Sequence, residues 1–359
     1  MERDRSRPLR AGVIGCGVGR SHIMGYRAAG VEVVALAGLD AKRCADVAAE
    51  FSIPFIYGEY ENLLARDDLD MVSVAVPNYL HADVVLAALE RGFDVCIEKP
   101  LAHNLADAER IAAAAKTARG QVMVMFNWRL RADAQALKRY LTAGTLGRVY
   151  YARAGWLRRA GIPGIGGWFT QKAMSGGGPL IDLGVHMLDL SMWLLDYPTP
   201  VAVSGATYAE FGPRGRGTWP GRPVFGGTGG PYDVEDLAAA FIRLADGVTL
   251  YLEASWAAYS QHKDDFYVHL FGSEGGGQIN VREYADVGTL TVYTDMAGAG
   301  AEIHPTVTAG ISHVVGIEEF VAMVQGEKPN PAPPEQGVAL MRIIDGVYRS
   351  AAEGREVTL

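Results

Sequence analysis

Three side chains in this 359-residue chain are of types that suit acid–base chemistry, in settings that allow it: Lys99, Asp182 and His186. Asp182 and His186 stand four residues apart after Gly176-Gly177-Gly178, and residues so spaced share one face of a helix. Leu183, Met187 and Leu190 turn another side of that helix to a core. An imidazole takes up and releases protons near neutral pH, so His186 suits a general acid/base. Lys99, in Glu98-Lys99-Pro100, closes an apolar run. An ammonium there stabilises an alkoxide or polarises a carbonyl, and a desolvated lysine also exchanges a proton. Taken singly, each residue has a plainer role open to it: solvated lysine, capping aspartate, satisfied core histidine. A metal site is rejected, because no third or fourth ligand accompanies Asp182 and His186.

A second constellation lies at the start of the chain. Gly15-Cys16-Gly17-Val18-Gly19-Arg20 sits between an apolar run and a helical pattern. In such a turn the first glycine permits the tight bend and the second lets backbone N–H groups approach a pyrophosphate. The helix N-terminus behind them attracts negative charge. The spacing is one residue shorter than G-x-G-x-x-G, and alone it says little. Asp40, just past the next strand, strengthens it, since an acid there binds ribose hydroxyls and repels a 2′-phosphate. NAD is therefore the expected cofactor. Lys42 and Arg43 keep NADP as the alternative.

These residues need a frame. Leu9–Ile14, Val31–Ala37, Met71–Val76, Asp94–Ile97 and Gln121–Phe126 read as strands buried on both faces of a parallel sheet. Helices Arg20–Ala29 and Asp83–Arg91 alternate with them, ended by Gly30 and Gly92, and a third opens at Asn104 with Asp107 behind it and closes at Gly120. From about Arg148 the pattern changes. Val149–Trp156, Val201–Ala209, Leu237–Leu244, Val248–Ala257 and Phe266–Phe271 read as longer alternating strands, with a hairpin turn at Ala245-Asp246-Gly247. Helices are expected at Asp182–Leu195, Ser312–Val324 and Glu335–Ala352, an irregular loop at Gly212–Pro231 and a linker at Pro329–Pro334. The expected fold is an α/β Rossmann domain (residues 1–127), then an α+β domain (128–334) with a large, mainly antiparallel open sheet. Residues 335–359 form a last helix expected to pack back on the first domain.

Composition narrows the partners. A net charge of −8 with scattered cations argues against nucleic acid, and no apolar run is long enough to span a membrane. The charged start, Met1-Glu2-Arg3-Asp4-Arg5, lacks the apolar run of a signal peptide. Cys16, Cys44 and Cys96 are an odd number without C-x-x-C spacing and suit reduced thiols. A cytoplasmic location follows as the expectation.

The motifs line up in order: Gly15-Cys16-Gly17-Val18-Gly19-Arg20-Ser21-His22, then Pro77-Asn78-Tyr79-Leu80-His81, Glu98-Lys99-Pro100, and Gly176-Gly177-Gly178-Pro179-Leu180-Ile181-Asp182-Leu183-Gly184-Val185-His186. The series resembles the glucose–fructose oxidoreductase / inositol dehydrogenase (Gfo/Idh/MocA) family over nearly the whole chain. The resemblance implies hydride transfer between NAD or NADP and a carbon of a sugar, sugar derivative or cyclic polyol. It implies self-association, as a homodimer or homotetramer, through the second domain's sheet. His186 becomes general acid/base, Asp182 a substrate-hydroxyl ligand, and Lys99 the charge stabiliser, with Asp189 a candidate to orient the imidazole. Gly15, Gly17, Val18, Gly19, Asp40, Pro77, Asn78, His81, Glu98, Lys99 and Pro100 become the cofactor set, with His22 beside them. Arg129, Trp168 and Lys172 join Lys99, Asp182 and His186 around the substrate.

Two other functions fit the same resemblance. One is a non-catalytic, cofactor-binding sensor, against which the presence of Lys99, Asp182 and His186 argues. The other is redox-neutral, NAD-assisted glycoside cleavage, which net NADH formation on adding substrate excludes.

Overall fold

The structure is a computed structural model describing residues 7–219, 229–308 and 313–359. The expected charged N-terminal segment, much of the Gly212–Pro231 loop and the Ser312 helix start lie outside the described residues. The described residues form two compact units, one from Met1–Asn127 and Ser312–Val338, the other from Trp128–Ile311 and Ala339–Leu359.

In the first unit β1 (Arg10–Ile14), α1 (Gly19–Ala28), β2 (Glu32–Ala37), α2 (Ala41–Glu50), β3 (Phe55–Tyr57) and α3 (Tyr60–Leu64) are followed by β4 (Met71–Val74), α4 (His81–Glu90), β5 (Asp94–Glu98), α5 (Leu105–Ala115) and β6 (Val122–Met125). The strands pair in parallel in the order β3-β2-β1-β4-β5-β6. Helices on both faces explain the continuous apolar runs, and every residue of β4 and β6 is buried. The order reverses at β1, whose neighbours are β2 and β4. Open α/β sheets bind ligands at that switch point, outside the carboxyl ends of the strands. Asn104 caps α5 as its spacing predicts, its side chain accepting from the Asp107 N–H at 2.8 Å.

The second unit runs α6 (Ala132–Thr142), β7 (Val149–Arg158), α7 (Lys172–Ser175), α8 (Val185–Leu194), β8 (Pro200–Tyr208), β9 (Leu237–Leu244), β10 (Thr249–Ser255), β11 (Asp264–Gly272), β12 (Gly275–Arg282), β13 (Leu290–Met296) and β14 (Ala299–Ile303). Two helices and a strand then close the chain: α9 (His313–Gln325), α10 (Pro334–Glu353) and β15 (Val357–Thr358). The nine-stranded sheet has the order β14-β13-β12-β11-β7-β10-β9-β8-β15. Its pairs are antiparallel except β7 with β10. One face is buried, with α8 packed on β7 and β11 and α6 on β12 and β13. The other leaves a cross-strand row of Phe241, Tyr251, Arg153, His269 and Gln278 at least partly accessible. The hairpin at Ala245-Asp246-Gly247 forms, closed by Leu244 N–H donating to the Val248 carbonyl at 3.0 Å.

Several expectations need correction. Pro329–Pro334 is no linker: the Val124 N–H donates to the Ala332 carbonyl at 2.9 Å and Asn330 Nδ2 to the Val122 carbonyl at 2.8 Å, so this segment lies along β6. Helix α9 belongs to the first unit, where Gly25 of α1 lets it approach. A Cβ at Gly25 would come within 2.6 Å of Ile317 Cβ. Helix α10 departs the other way, since only its start, Pro334–Val338, groups with the first unit. Cys16 and Cys44 are not reduced thiols but a disulfide, leaving Cys96 buried and free. Counting cysteines could not show that the turn after β1 faces the first turns of α2. No helix among the described residues is long and apolar enough to cross a membrane.

Candidate active site

In the first unit the candidate residues stand at the carboxyl edge of the parallel sheet. Gly15 has φ +114°, and a Cβ there would lie 2.1 Å from the Ala75 carbonyl oxygen. A Cβ at Gly19 would lie 2.9 Å from Val13 Cγ1, so this glycine seats α1 against β1. A Cβ at Gly17 would meet only Arg43 Nη2, at 3.9 Å. The three glycines thus divide the work of a nucleotide turn, and only Gly17 opens outward. Val18, at the head of α1, is exposed. Asp40 is also exposed and caps α2, its Oδ1 accepting from the Arg43 N–H at 3.0 Å. A dinucleotide fits this cradle.

Two further turns frame the same edge. Pro77 leads into a short turn at Asn78–Leu80, with Asn78 buried. After β5, Glu98 and half-buried Lys99 precede a cis peptide to Pro100. His81 has no exposure, and its ring nitrogens lie 2.8 Å from the Pro100 carbonyl and 3.0 Å from the Val76 carbonyl. Burial lowers its pKa. Its imidazole therefore ties the Lys99–Pro100 turn to the end of β4 and is spent on backbone, which corrects its assignment as a cofactor contact. His22 is corrected likewise: it has no exposure and contacts Ser73 and Glu98.

In the second unit a separate group of candidates stands around the start of α8. Asp182 lies in a single π-type turn, Leu180–Gly184, and His186 is the second residue of α8. The expected single helix is therefore two windings, and π turns of this kind concentrate at functional sites. Four residues come close to one turn of either winding, which keeps both side chains on one side. Glu235 holds the entry to this turn, accepting from the N–H groups of Gly178 at 2.9 Å and Leu180 at 3.1 Å and from the Tyr348 hydroxyl at 3.0 Å. Burial raises its pKa against those hydrogen bonds. A Cβ at Gly177 would collide with Tyr348 Oη, which is why the run must be glycine.

Asp182 Oδ2 accepts from the indole N–H of buried Trp256 at 2.9 Å. The His186 ring lies 5.9 Å from Trp128 and 5.7 Å from Trp156. Beside them Arg158 stacks on Trp156 at 5.2 Å and on Trp219 at 4.9 Å. Arg158 donates to Asp264 at 3.1 Å and to the Tyr284 hydroxyl at 2.9 Å, and Asp264 also accepts from the Trp156 indole. Burial opposes the Arg158 charge, but Asp264, Tyr284 and Asp182 together raise its pKa. This cluster packs three buried indoles among fixed polar groups beside Asp182 and His186. Among the described residues no cluster of His, Cys, Asp or Glu could hold a metal ion.

The expected substrate contacts fare unevenly. Arg129 is buried, paired with Asp189 and with the Tyr197 hydroxyl. Its guanidinium is a core strut, not a ligand group. Asp189 is thereby taken from its expected role beside His186. Trp168 is half-buried and stacks on Phe169 at 3.8 Å. Lys172 is exposed, its ammonium 5.2 Å over the Tyr348 ring. The wall of Trp128, Trp156, Arg158 and Trp256 escaped sequence reading, although two tryptophans and an arginine crowd the end and flank of one strand.

Residues 9–126 match an oxidoreductase family with an NAD-binding Rossmann fold, and residues 134–277 match the GFO/IDH/MocA C-terminal domain. The chain belongs to the Gfo/Idh/MocA family. It is 30% identical to the D-glucoside 3-dehydrogenase of Escherichia coli K12, over 99% of this chain and 98% of that protein. It is 33% identical to a putative UDP-kanosamine synthase oxidoreductase subunit of Amycolatopsis mediterranei, over 81% of each. A levoglucosan dehydrogenase solved with NADH and L-sorbose superposes with a TM-score of 0.83 at 26% identity, covering 98% of this chain and 99% of that one. The Gfo/Idh/MocA assignment makes this chain an NAD(P)-dependent oxidoreductase, with the parallel sheet and the larger antiparallel sheet expected of the family.

Proposed function

We propose that this enzyme oxidises or reduces one secondary alcohol carbon of a pyranoside or related cyclic sugar, with NAD as the preferred cofactor. The observation that carries this reading is the Lys99 turn. It is fixed through Glu98 and by His81 at the carboxyl edge of the sheet that carries the glycine cradle. The names of two relatives, a glucoside dehydrogenase and a levoglucosan dehydrogenase, support the sugar class.

Bound NAD supplies the hydride acceptor. In the alcohol-to-ketone direction, His186 takes the hydroxyl proton while the adjacent C–H leaves as hydride. Lys99 stabilises the negative charge that develops on that oxygen. Asp182 accepts a hydrogen bond from a substrate hydroxyl and fixes which carbon faces the acceptor. Trp128 and Trp156 pack against the His186 ring and hold it in place. In the reverse direction His186 returns the proton.

A panel of glycosides, anhydro sugars, aldoses and cyclic polyols, each with NAD and NADP and read by nicotinamide absorbance, tests this. Activity with at least one cyclic sugar is expected. Lys99→Ala and His186→Ala should each lose on the order of 10²–10⁴-fold in kcat while still binding NADH. Wild-type rates in both variants would falsify the site. Self-association is assigned to the open sheet face around Phe241 and Tyr251. Light scattering after size exclusion checks it, and Phe241→Glu should lower the mass.

A further inference from the structure

Glu98 lies beneath Lys99 with its carboxylate fully engaged. The Nε2 atoms of two histidines address the same oxygen, Oε1: His22 at 2.9 Å and His313 at 3.3 Å. The other oxygen, Oε2, accepts the backbone N–H of Lys99 at 3.2 Å. The two imidazoles are neighbours, 5.9 Å between centroids.

Their roles differ, and the hydrogen bonds say how. A carboxylate has no proton to give, so His22 Nε2 must donate to it. The other nitrogen of a neutral His22 then accepts from Ser73 at 2.9 Å, and Ser73 accepts from Tyr26 at 2.8 Å. The chain Tyr26, Ser73, His22, Glu98 is satisfied without charging His22, whose pKa burial lowers. Among the described residues no such chain reaches His313, whose side chain is one quarter exposed. Burial lowers its pKa, yet the charge and hydrogen bond of Glu98 outweigh this and raise it, with Lys99 opposing. Burial likewise pushes Glu98 up, but the two histidines together hold it well below the usual carboxylate range.

Gly25 lets α9 seat on α1, and that seating brings His313 to Glu98.

We propose that His313 is a positioning residue for Lys99, clamping Glu98 so that the turn carrying the reacting ammonium is fixed and its field set. This deepens the function above and rests on Lys99 acting at the reacting oxygen. The groups facing the clamp are His22 and Tyr26 from α1, Ser73 from β4, Cys96 from β5, His81 from α4, and Lys99 itself.

The test is kcat and KM against pH for the wild type, His313→Gln and His313→Ala, beside NADH affinity. His313→Ala should lose on the order of 10-fold in kcat with NADH affinity within about 2-fold. His313→Gln keeps an N–H for Glu98 and should recover most of that loss, while the ionisation of His313 vanishes from its profile. Superimposable profiles for all three proteins overturn the proposal. Should His313→Ala not fold, NMR titration of the wild-type histidine rings decides. The resonance absent from His313→Gln must titrate above 6.5, the ordinary histidine value, and a value at or below it overturns the proposal. The two ideas fail separately. An active Lys99→Ala sinks the function above, whereas an inactive Lys99→Ala with unchanged His313 profiles sinks this proposal alone.

Discussion

Trp256 donates its indole N–H to Asp182 Oδ2 at 2.9 Å from a ring with no exposure. The donor is held from both ends, since the Trp256 backbone N–H reaches the Asp236 carbonyl at 3.1 Å. A rigid donor of this kind aims the carboxylate without neutralising it. Trp256→Phe keeps most of the packing and removes the N–H. A hydrogen bond to a charged group is worth about 1.5–3 kcal/mol, so kcat/KM should fall roughly 10- to 100-fold. NADH affinity, measured by fluorescence titration, should not move. An equal loss in both would mean that the ring acts on the whole fold and not on Asp182.

The pair Arg129–Asp189 makes the opposite kind of prediction. Both side chains are buried, with relative exposures of 3% and 1%. Burial raises the Asp189 pKa despite Arg129, while Asp189 and Tyr197 hold the Arg129 charge against burial. Replacing one partner strands the other charge, which costs about 3–5 kcal/mol. Arg129→Met should therefore lower the denaturant midpoint strongly. The folded fraction should keep the wild-type KM for substrate. A raised KM with unchanged stability would return Arg129 to the substrate cleft.

What the sequence disclosed follows from how far each signal reaches. Gly15, Gly17, Gly19 and Asp40 act within a few residues of their own strand, so spacing exposes them. The same holds for the Asn104 cap and the Gly247 turn. Arg129 was misassigned because its partner, Asp189, is sixty residues away, and polar type alone does not distinguish a ligand from a buried strut. His313 was invisible for a related reason. Its meaning lies in Glu98, which is brought to it only when α9 seats on Gly25. Strands β12 to β14 were not read from the sequence; in β12 the run Gly275-Gly276-Gly277 lacks the side-chain alternation of a strand, and glycine there lets crowded neighbours approach.

The Glu98–His313 pair also couples stability to pH, and the signs are fixed by the two directions. Glu98 is depressed below its ordinary 4.5, so its contribution is present above that value and lost as pH falls through the folded pKa. His313 is raised above 6.5, so its contribution is full below that value and lost as pH rises through the folded pKa. Both hold together between 4.5 and 6.5. The Tm difference between wild type and His313→Gln should be widest in that window and shrink on the alkaline side. A difference that grows with rising pH would contradict the charged pair.

The Cys16–Cys44 disulfide predicts a thiol count. Without reductant, the denatured protein should alkylate at Cys96 alone, and after reduction at all three cysteines. The bridge spans a sequence separation of 28 and ties the glycine turn to α2. By loop entropy a bridge of that span stabilises by roughly 3–4 kcal/mol. Reduction should thus lower Tm and loosen NADH binding, because the turn that meets the pyrophosphate loses its tether. Three alkylated cysteines before reduction would show that the bridge is absent from the purified protein.

Cofactor choice reduces to one exposed carboxylate with two jobs. Asp40 caps α2 through Oδ1 and carries the charge expected to meet the adenosine ribose. Asp40→Ser separates these jobs, because serine caps nearly as well as aspartate and carries no charge. Helix stability should therefore hold while the repulsion of a 2′-phosphate disappears. Arg43, whose guanidinium borders Gly17, is then placed to attract that phosphate. The ratio of kcat/KM for NADP over NAD should rise on the order of 10-fold, mostly through KM. Asp40→Ala should show the same cofactor shift with an added loss of about 1 kcal/mol from the missing cap. If the ratio stays fixed while both variants remain folded, selectivity resides outside the β2–α2 turn.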